Sequence, residues 1–263
     1  DFRQMDARIA MLETGYQWID LDPFGSPVQF LDAALQGLSR TGVLEITATD
    51  TAALTGSSAS SQARRYGAKG IVDVYAHDDA VRLLLATVAT SAARLDKTVI
   101  PLLALFDGHH VRVSCLIKTS REKASRVGEN IGWRIREDDI PYRFVQHPTP
   151  EQVKRGSGPL WTGPLWSKEI AERMTVEKAL ELCQPSSVEL ESLRQSGLEW
   201  SDDDVEYSTR ELKRSVRYIS DAADLMSREH LLLNLDALPK WAGVGGAPKL
   251  EKLIASLVDA GYA

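Results

Sequence analysis

The chain has 263 residues, 43% of them hydrophobic and 26% charged, with a formal net charge of -6. That is the make-up of a globular protein of one large domain or two ordinary ones. Two cysteines in unrelated segments, Cys115 and Cys183, exclude a disulfide framework and an all-cysteine zinc site, and the five histidines show no metal-ligand spacing. No apolar run approaches the roughly 20 residues that span a bilayer, and no signal-peptide pattern opens the chain, so a cytoplasmic protein without a membrane segment is expected.

The charge is unevenly spread. Residues 108–175 carry 12 Lys/Arg and 8 Asp/Glu, whereas residues 176–236 carry 7 and 14. A basic middle beside an acidic segment permits a local phosphate-binding face, although a mixed solvated surface looks much the same.

Taken in order, Asp1 to Thr14 is helix-compatible, with Ile9, Met11 and Leu12 as its apolar members and Asp6-Ala7 as a first turn. An apolar run from Trp18 then reads as a buried strand and breaks into Asp22-Pro23-Phe24-Gly25-Ser26-Pro27. Val28, Leu31, Ala34, Leu35 and Leu38 follow at helical spacing, Gly42 ends the connection, and Val43 to Asp50 reads as a second strand with a polar end. Strand, helix and strand with short links predict a βαβ unit and a parallel pair. Asp22 and the cluster Thr47 to Asp50 should then face one crevice at the strands' carboxyl ends, where open α/β sheets bind ligands.

The residue types at Asp22 to Pro27 suit a nucleobase amine. An exocyclic NH2 conjugated to a ring is a poor nucleophile, so an enzyme acting on it needs hydrogen-bond acceptors and a way to fix the ring plane. Asp22 and the Pro23 carbonyl are candidate acceptors, Phe24 a stacking face, and Gly25 a point of close backbone approach. The same residues also suit a tight strand-to-helix turn with Phe24 in the core and Asp22 bonded to backbone donors. Both readings stand on the motif alone.

Thr51 to Ser61 is small, polar and glycine/serine-rich, as a surface loop would be. Arg64, Arg65, Tyr66, Gly67 and Lys69 combine cations with an aromatic, which suits either a nucleic-acid backbone or a solvated loop. A helix opens at His77-Asp78-Asp79, its acids favoured by the helix dipole, with Val81, Leu84, Leu85, Val88, Ala92 and Leu95 on one stripe. Val99 to Phe106 then reads as a strand and Asp107-Gly108 as a hairpin turn, with Val111, Val113, Cys115 and Ile117 alternating beyond it. This change of pattern predicts a boundary near residue 97, between a parallel-sheet domain (1–97) and an α+β domain (98–263).

Residues 118–155 look irregular and basic, and Gly158 to Trp166 is too broken for a helix, leaving packed loop or base-contacting surface open. Ser167 is placed to cap a helix running to about Cys183, and residues 205–235 read as charged helix. Pro248 stands at a helix start ahead of Leu250, Leu253, Ile254, Leu257 and Val258, with Gly261 at its stop, a pattern compatible with a winged helix that is cut short.

With these pieces placed, the chain resembles the tRNA guanine-26 N2-dimethyltransferase family. The resemblance rests on Ile19 to Pro27 (IDLDPFGSP), Phe30 to Ala33 (FLDA), Thr47 to Ala52 (TATDTA), Arg65 to Ala68 (RYGA), His77 to Leu85 and Gly158 to Leu165 (GPLWTGPL), in the family's order. It implies an α/β fold, the C-terminal half of a Rossmann-like S-adenosyl-L-methionine methyltransferase sheet followed by an α+β domain that holds tRNA. It also implies Asp22 as the catalytic residue that holds and deprotonates the amine, Phe24 as the stacking partner of a flipped guanine, and Asp6 and Ala7 as contacts to the cofactor's adenosine. Asp6 also reads as an ordinary helix-start carboxylate. Pro23, Gly25, Thr49, Asp50, Arg65 and Tyr66 are the expected substrate-binding residues, and no metal is expected.

Departures accompany the matches. The family's glycine-rich cofactor loop, its Thr-His-Phe signature and the cysteine zinc site of some members have no counterpart here, and its usual Cys-His-Glu reads Ala76-His77-Asp78. The expectation is an internal fragment of such an enzyme, inactive alone. The alternatives are an amino-methyltransferase acting on another base and a catalytically silent RNA-binding module.

Overall fold

The computed structural model describes residues 2–136, 142–183, 187–226, 249–259 and 261. They fall into two compact units, one holding residues 2–100, 104–163 and the C-terminal helix, the other residues 101–103 and 164–226.

The first unit is built on the expected βαβ unit. Strand β1 (Tyr16–Leu21) leads through helix α2 (Val28–Gly37) to β2 (Leu38–Ala48), and the two strands pair in parallel with Trp18 opposite Val43 and Leu21 opposite Ile46. Alternation along β1 buries Ile19 and Leu21 and leaves Trp18 and Asp20 exposed, so one face of the sheet takes the core. Leu31, Ala34 and Leu35 of α2 are buried, and each large apolar side chain so placed contributes roughly 1.5–3 kcal/mol. The N-terminal helix α1 (Ala7–Leu12) packs closely on α2 at Gly37, where an added Cβ would lie 2.0 Å from the Met11 carbonyl oxygen. Lys97 is buried at the end of α2, where its ammonium donates to the carbonyls of Leu35 and Leu38. Burial pushes the pKa of Lys97 down.

The hairpin of β3 (Lys97–Phe106) and β4 (Val111–Thr119) corrects the expected boundary. It joins the same sheet, in the order β1-β2-β4-β3, with β4 antiparallel to β2. Alternating Val111, Val113, Cys115 and Ile117 are fully buried on the same core face, so the hairpin completes the first sheet and residue 97 does not divide it. Its turn is Gly108-His109, closed by the Asp107 N–H donating to the His110 carbonyl.

Two segments read as loops are regular. Thr51 to Tyr66 forms helices α3 (Thr51–Leu54) and α4 (Ala59–Tyr66), anchored by buried Leu54 and Gln62. Helix α5 (Ala76–Ala93) carries the expected stripe, with Val81, Leu84, Leu85, Val88 and Ala92 buried. The stretch 118–155 contains α6 (Arg121–Ser125), a 3-10 turn, β5 (Ile131–Ile135), β6 (Arg143–Val145) and α7 (Pro150–Lys154). The Gly/Pro/Trp segment supplies β7 (Gly156–Trp161), and Trp161 and Trp166 are buried as packing residues. Strands β6-β5-β7 form a second, antiparallel sheet.

Arg134 of β5 is 1% exposed. Its guanidinium takes Asp79 at 2.7 Å through Nε and Nη2, Asp73 at 3.0 Å through Nη1 and Nη2, and Ser157 of β7, with the rings of Tyr75 and Tyr142 alongside. Burial opposes the charge, yet the bonds to Asp79 and the attraction of Asp73 hold the Arg134 pKa above its ordinary value. Burial also pushes the Asp79 carboxyl up against the pull of Arg134. The short bidentate geometry favours the ionised pair.

In the second unit, Ser167 caps α8 (Lys168–Arg173) as expected, but the helix stops there and resumes as α9 (Val176–Cys183). Helices α10 (Ser187–Gln195) and α11 (Asp202–Met226) follow, α11 packing on α8 and α9 with Val216 and Ile219 buried. The expected helix at 227–235 and the start at Pro248 lie outside the described residues. Helix α12 (Leu250–Asp259) belongs to the first unit. No helix among the described residues is long and apolar enough to cross a membrane.

Candidate active site

Parallel pairing of β1 and β2 brings Asp22 and Asp50 to one edge of the sheet although 28 residues separate them. The motif loop is fixed there by a reciprocal pair of bonds. Gly25 N donates to Thr49 Oγ1 at 2.7 Å, and Thr49 N donates to the Gly25 carbonyl at 3.0 Å. Gly25 has φ +83, a left-handed conformation that L side chains rarely adopt.

Next to this clamp stands a chain of side chains. The Asp50 carboxylate, 7% exposed, accepts from Tyr66 Oη at 2.7 Å on Oδ1 and from Arg65 Nη1 at 2.9 Å on Oδ2. Burial pushes the Tyr66 phenol far above its ordinary range; the Ser26 bond pulls against this and the Asp50 bond adds to it. The phenol therefore keeps its proton and donates it to Asp50. That leaves the Ser26 hydroxyl, 3.0 Å away, to donate to the phenolic oxygen. Ser26, Tyr66, Asp50 and Arg65 thus tie the motif loop to the end of β2 and to α4.

The two residues at the tip behave differently. Phe24 is 103% exposed, which removes the reading that tucks it into the core. Asp22 is exposed too, and its carboxylate makes no hydrogen bond or ion pair with the described residues. The Pro23 carbonyl, past the last strand bond, likewise has no donor among the described residues. An exposed ionisable acceptor and an exposed aromatic face, with a carbonyl between them on a clamped loop, can receive a flat ring bearing an amine.

Asp22, Pro23, Phe24, Gly25, Thr49, Asp50, Arg65 and Tyr66 are therefore neighbours along one edge. Gly25, Thr49, Asp50 and Tyr66 spend their polar groups holding the loop. Ser26, to which the sequence reasoning gave no role, is the link between motif and network; its signal was only a hydroxyl two residues ahead of a helix start. Asp6 and Ala7 lie apart, at the start of α1. Asp6 caps that helix and accepts three N–H groups of Arg8, whose side-chain bonds hold its pKa down at about 2. Among the described residues no three His, Cys, Asp or Glu side chains converge as a metal site would require.

Fold and site together define the class, an α/β protein of the Rossmann-like methyltransferase type with an exposed carboxylate and an exposed aromatic ring at a strand's carboxyl end. The sequence pattern of the N2,N2-dimethylguanosine tRNA methyltransferase family matches residues 1–230, and the chain belongs to that family. It is 36% identical over 157 residues to the tRNA (guanine(26)-N(2))-dimethyltransferase of Thermoplasma acidophilum, covering 60% of this chain and 43% of that protein. The Pyrococcus abyssi enzyme of the same name is 35% identical over 173 residues, covering 66% and 44%. The structure of Trm1 from Pyrococcus horikoshii in complex with S-adenosyl-L-methionine superposes with a TM-score of 0.75 at 26% identity, over 98% of this chain and 62% of that one. The chain spans about half the length of the curated relatives it matches.

Proposed function

We propose that this chain carries the base-accepting side of a site that moves a methyl group from S-adenosyl-L-methionine to the N2 amine of guanine 26 in tRNA, repeated once to give N2,N2-dimethylguanosine. The reaction is placed in the cytoplasm. The observation that carries the reading is the pair Asp22 and Phe24, both exposed and Asp22 unbonded among the described residues, on a loop fixed through Gly25 and Ser26.

In this reading the guanine leaves its stack, at a cost of a few kcal/mol, and stacks on Phe24, which returns ~1–3 kcal/mol. Asp22 accepts one N2–H and the Pro23 carbonyl the other, which fixes the amine's plane. As positive charge develops on nitrogen, Asp22 takes the proton. S-adenosyl-L-methionine, when bound, supplies an already activated methyl group. Asp6 and Ala7 are the residues here that would meet its adenosine. The Asp6 carboxylate is exposed and ionised, and Arg8 engages both of its oxygens, so a ribose hydroxyl would have to share or displace that ion pair. Lys118, Lys123, Arg136 and Arg155 are exposed without ion pairs among the described residues, so they are available to tRNA phosphates.

The test is nucleoside analysis of tRNA transcripts treated with the full-length gene product and the methyl donor. Dimethylguanosine should form only where position 26 is guanine. Asp22→Ala should lower methyl transfer by about 10²–10⁴-fold while tRNA affinity is kept. A methyl group on a different base would point to another amino-methyltransferase, and full activity in Asp22→Ala would remove the role given to that residue.

A further inference from the structure

A cavity of about 370 Å³ opens beside the motif loop. Arg65 and Arg94 stand in its lining with the hydroxyl residues Thr87 and Thr90, over an apolar floor that includes Leu83 and Pro159. No carboxylate belongs to this lining among the described residues. Arg94, exposed just past the end of α5, makes no side-chain hydrogen bond or ion pair with them. Arg65 is only half committed, with one nitrogen on Asp50 and 42% of its side chain exposed.

The cavity shares a wall with the candidate site. Tyr66 lines it and at the same time bonds Ser26 of the loop that presents Asp22 and Phe24. A ligand entering here needs negative charge for two guanidinium groups and an apolar body for the floor. The volume falls within the usual range for small-molecule sites and exceeds what a bare inorganic anion fills. Arginine is the side chain whose planar fork matches phosphate oxygens.

We propose that this cleft holds a phosphodiester and ribose of the RNA strand beside the nucleotide delivered to Asp22, with Arg94 and the free edge of Arg65 on the phosphate. The inference rests on the base-methylation reading, and it assigns a phosphate seat to residues outside the motif. Thr87 and Thr90 stand beside that seat, although the Thr87 hydroxyl donates to the Leu83 carbonyl and can offer the ligand only its lone pairs.

The experiment measures tRNA affinity of the full-length gene product against salt concentration for wild type, Arg94→Ala, Arg94→Glu and Arg40→Ala. Arg40 is an exposed cation at the opposite end of β2 from Asp50 and serves as the charge-matched control. Arg94→Ala should weaken binding on the order of tenfold, as loss of a hydrogen bond to a charged group does. It should also flatten the salt slope by about 0.7–1, the share of one phosphate. Arg94→Glu should go further and Arg40→Ala should change little. Arg94 variants that match Arg40→Ala in affinity and slope would overturn the cleft; if Asp22→Ala still abolishes methylation in the same protein, the base-methylation reading stands without it. Wild type that binds no tRNA would overturn both. Inorganic phosphate that shifts the Arg94 side-chain NMR signals, with RNA affinity unchanged in the variants, would mark a small-anion site and overturn the RNA assignment.

Discussion

Around Arg134 two carboxylates, a hydroxyl and two aromatic rings close on a single guanidinium, and its three nitrogens and all four carboxylate oxygens are hydrogen-bonded. At the end of β1 a carboxylate, a hydroxyl, a phenol and a guanidinium also form a chain, but Asp22 and Phe24, on the loop that it holds, stand outside it and are open to solvent. The ingredients are the same and the wiring is opposite. A buried charge must be saturated to be tolerated, because an unpaired one costs several kcal/mol. A charge meant for a ligand must be left unsaturated, so it is kept at the surface while its neighbours are fixed.

The difference can be broken by substitution, and the largest effect belongs to Asp22→Ala. The loss of methyl transfer stated above should come with an unchanged melting temperature, since the carboxylate makes no hydrogen bond or ion pair with the described residues. Arg134→Ala should do the reverse, lowering stability by about 3–5 kcal/mol in denaturant titration because two carboxylates lose their counter-charge in the core. Methyl transfer per folded molecule should survive in that variant at low temperature. A loss of activity larger than the loss of folded protein would show that the two networks are coupled.

Phe24→Ala should cost ~1–3 kcal/mol of base stacking. It is read as a fall in kcat/KM with no change in unfolding midpoint, and Phe24→Tyr should restore most of it. Tyr66→Phe is the smallest change and sharpens the comparison most. It removes one hydroxyl from between Ser26 and Asp50, so about 1 kcal/mol of stability is expected to go. Because the loop stays clamped by Gly25 and Thr49, kcat should fall severalfold while tRNA affinity holds. A double-mutant cycle with Ser26→Ala should be non-additive if the two hydroxyls act as one link.

The parts of this architecture that sequence made legible are those fixed by neighbours in the chain. The βαβ unit was readable because Ile19, Leu21, Leu31, Leu35, Leu44 and Ile46 carry its periodicity within 28 residues. Asp22 and Phe24 were readable as acceptor and ring, although only the fold could say that Phe24 faces out. Helices α3 and α4 were missed because their small polar residues carry almost no hydrophobic period, and they are held by buried Leu54 and Gln62, whose amide donates to the Leu54 carbonyl, and by packing on each other and on α5. The boundary at 97 failed for a related reason. A change from helical to alternating pattern marks a new element but does not say which sheet it joins. Arg134 read as one cation in a basic stretch, yet its partners lie 55 and 61 residues away, and no local pattern announces them. The basic stretch accordingly supplies fewer free cations than its composition promised, with Arg121 and Arg126 also in ion pairs.

The pair of bonds between Gly25 and Thr49 has one more consequence. Each residue both donates to and accepts from the other, so the loop is stitched to the sheet almost as a further rung of it. Ordering a free loop around a ligand would cost about 1–2 kcal/mol for every residue immobilised. Here that ordering is already complete when the protein folds, so a base delivered to Asp22 under the proposed function would meet a preorganised surface and give up little of its binding energy to arrange it.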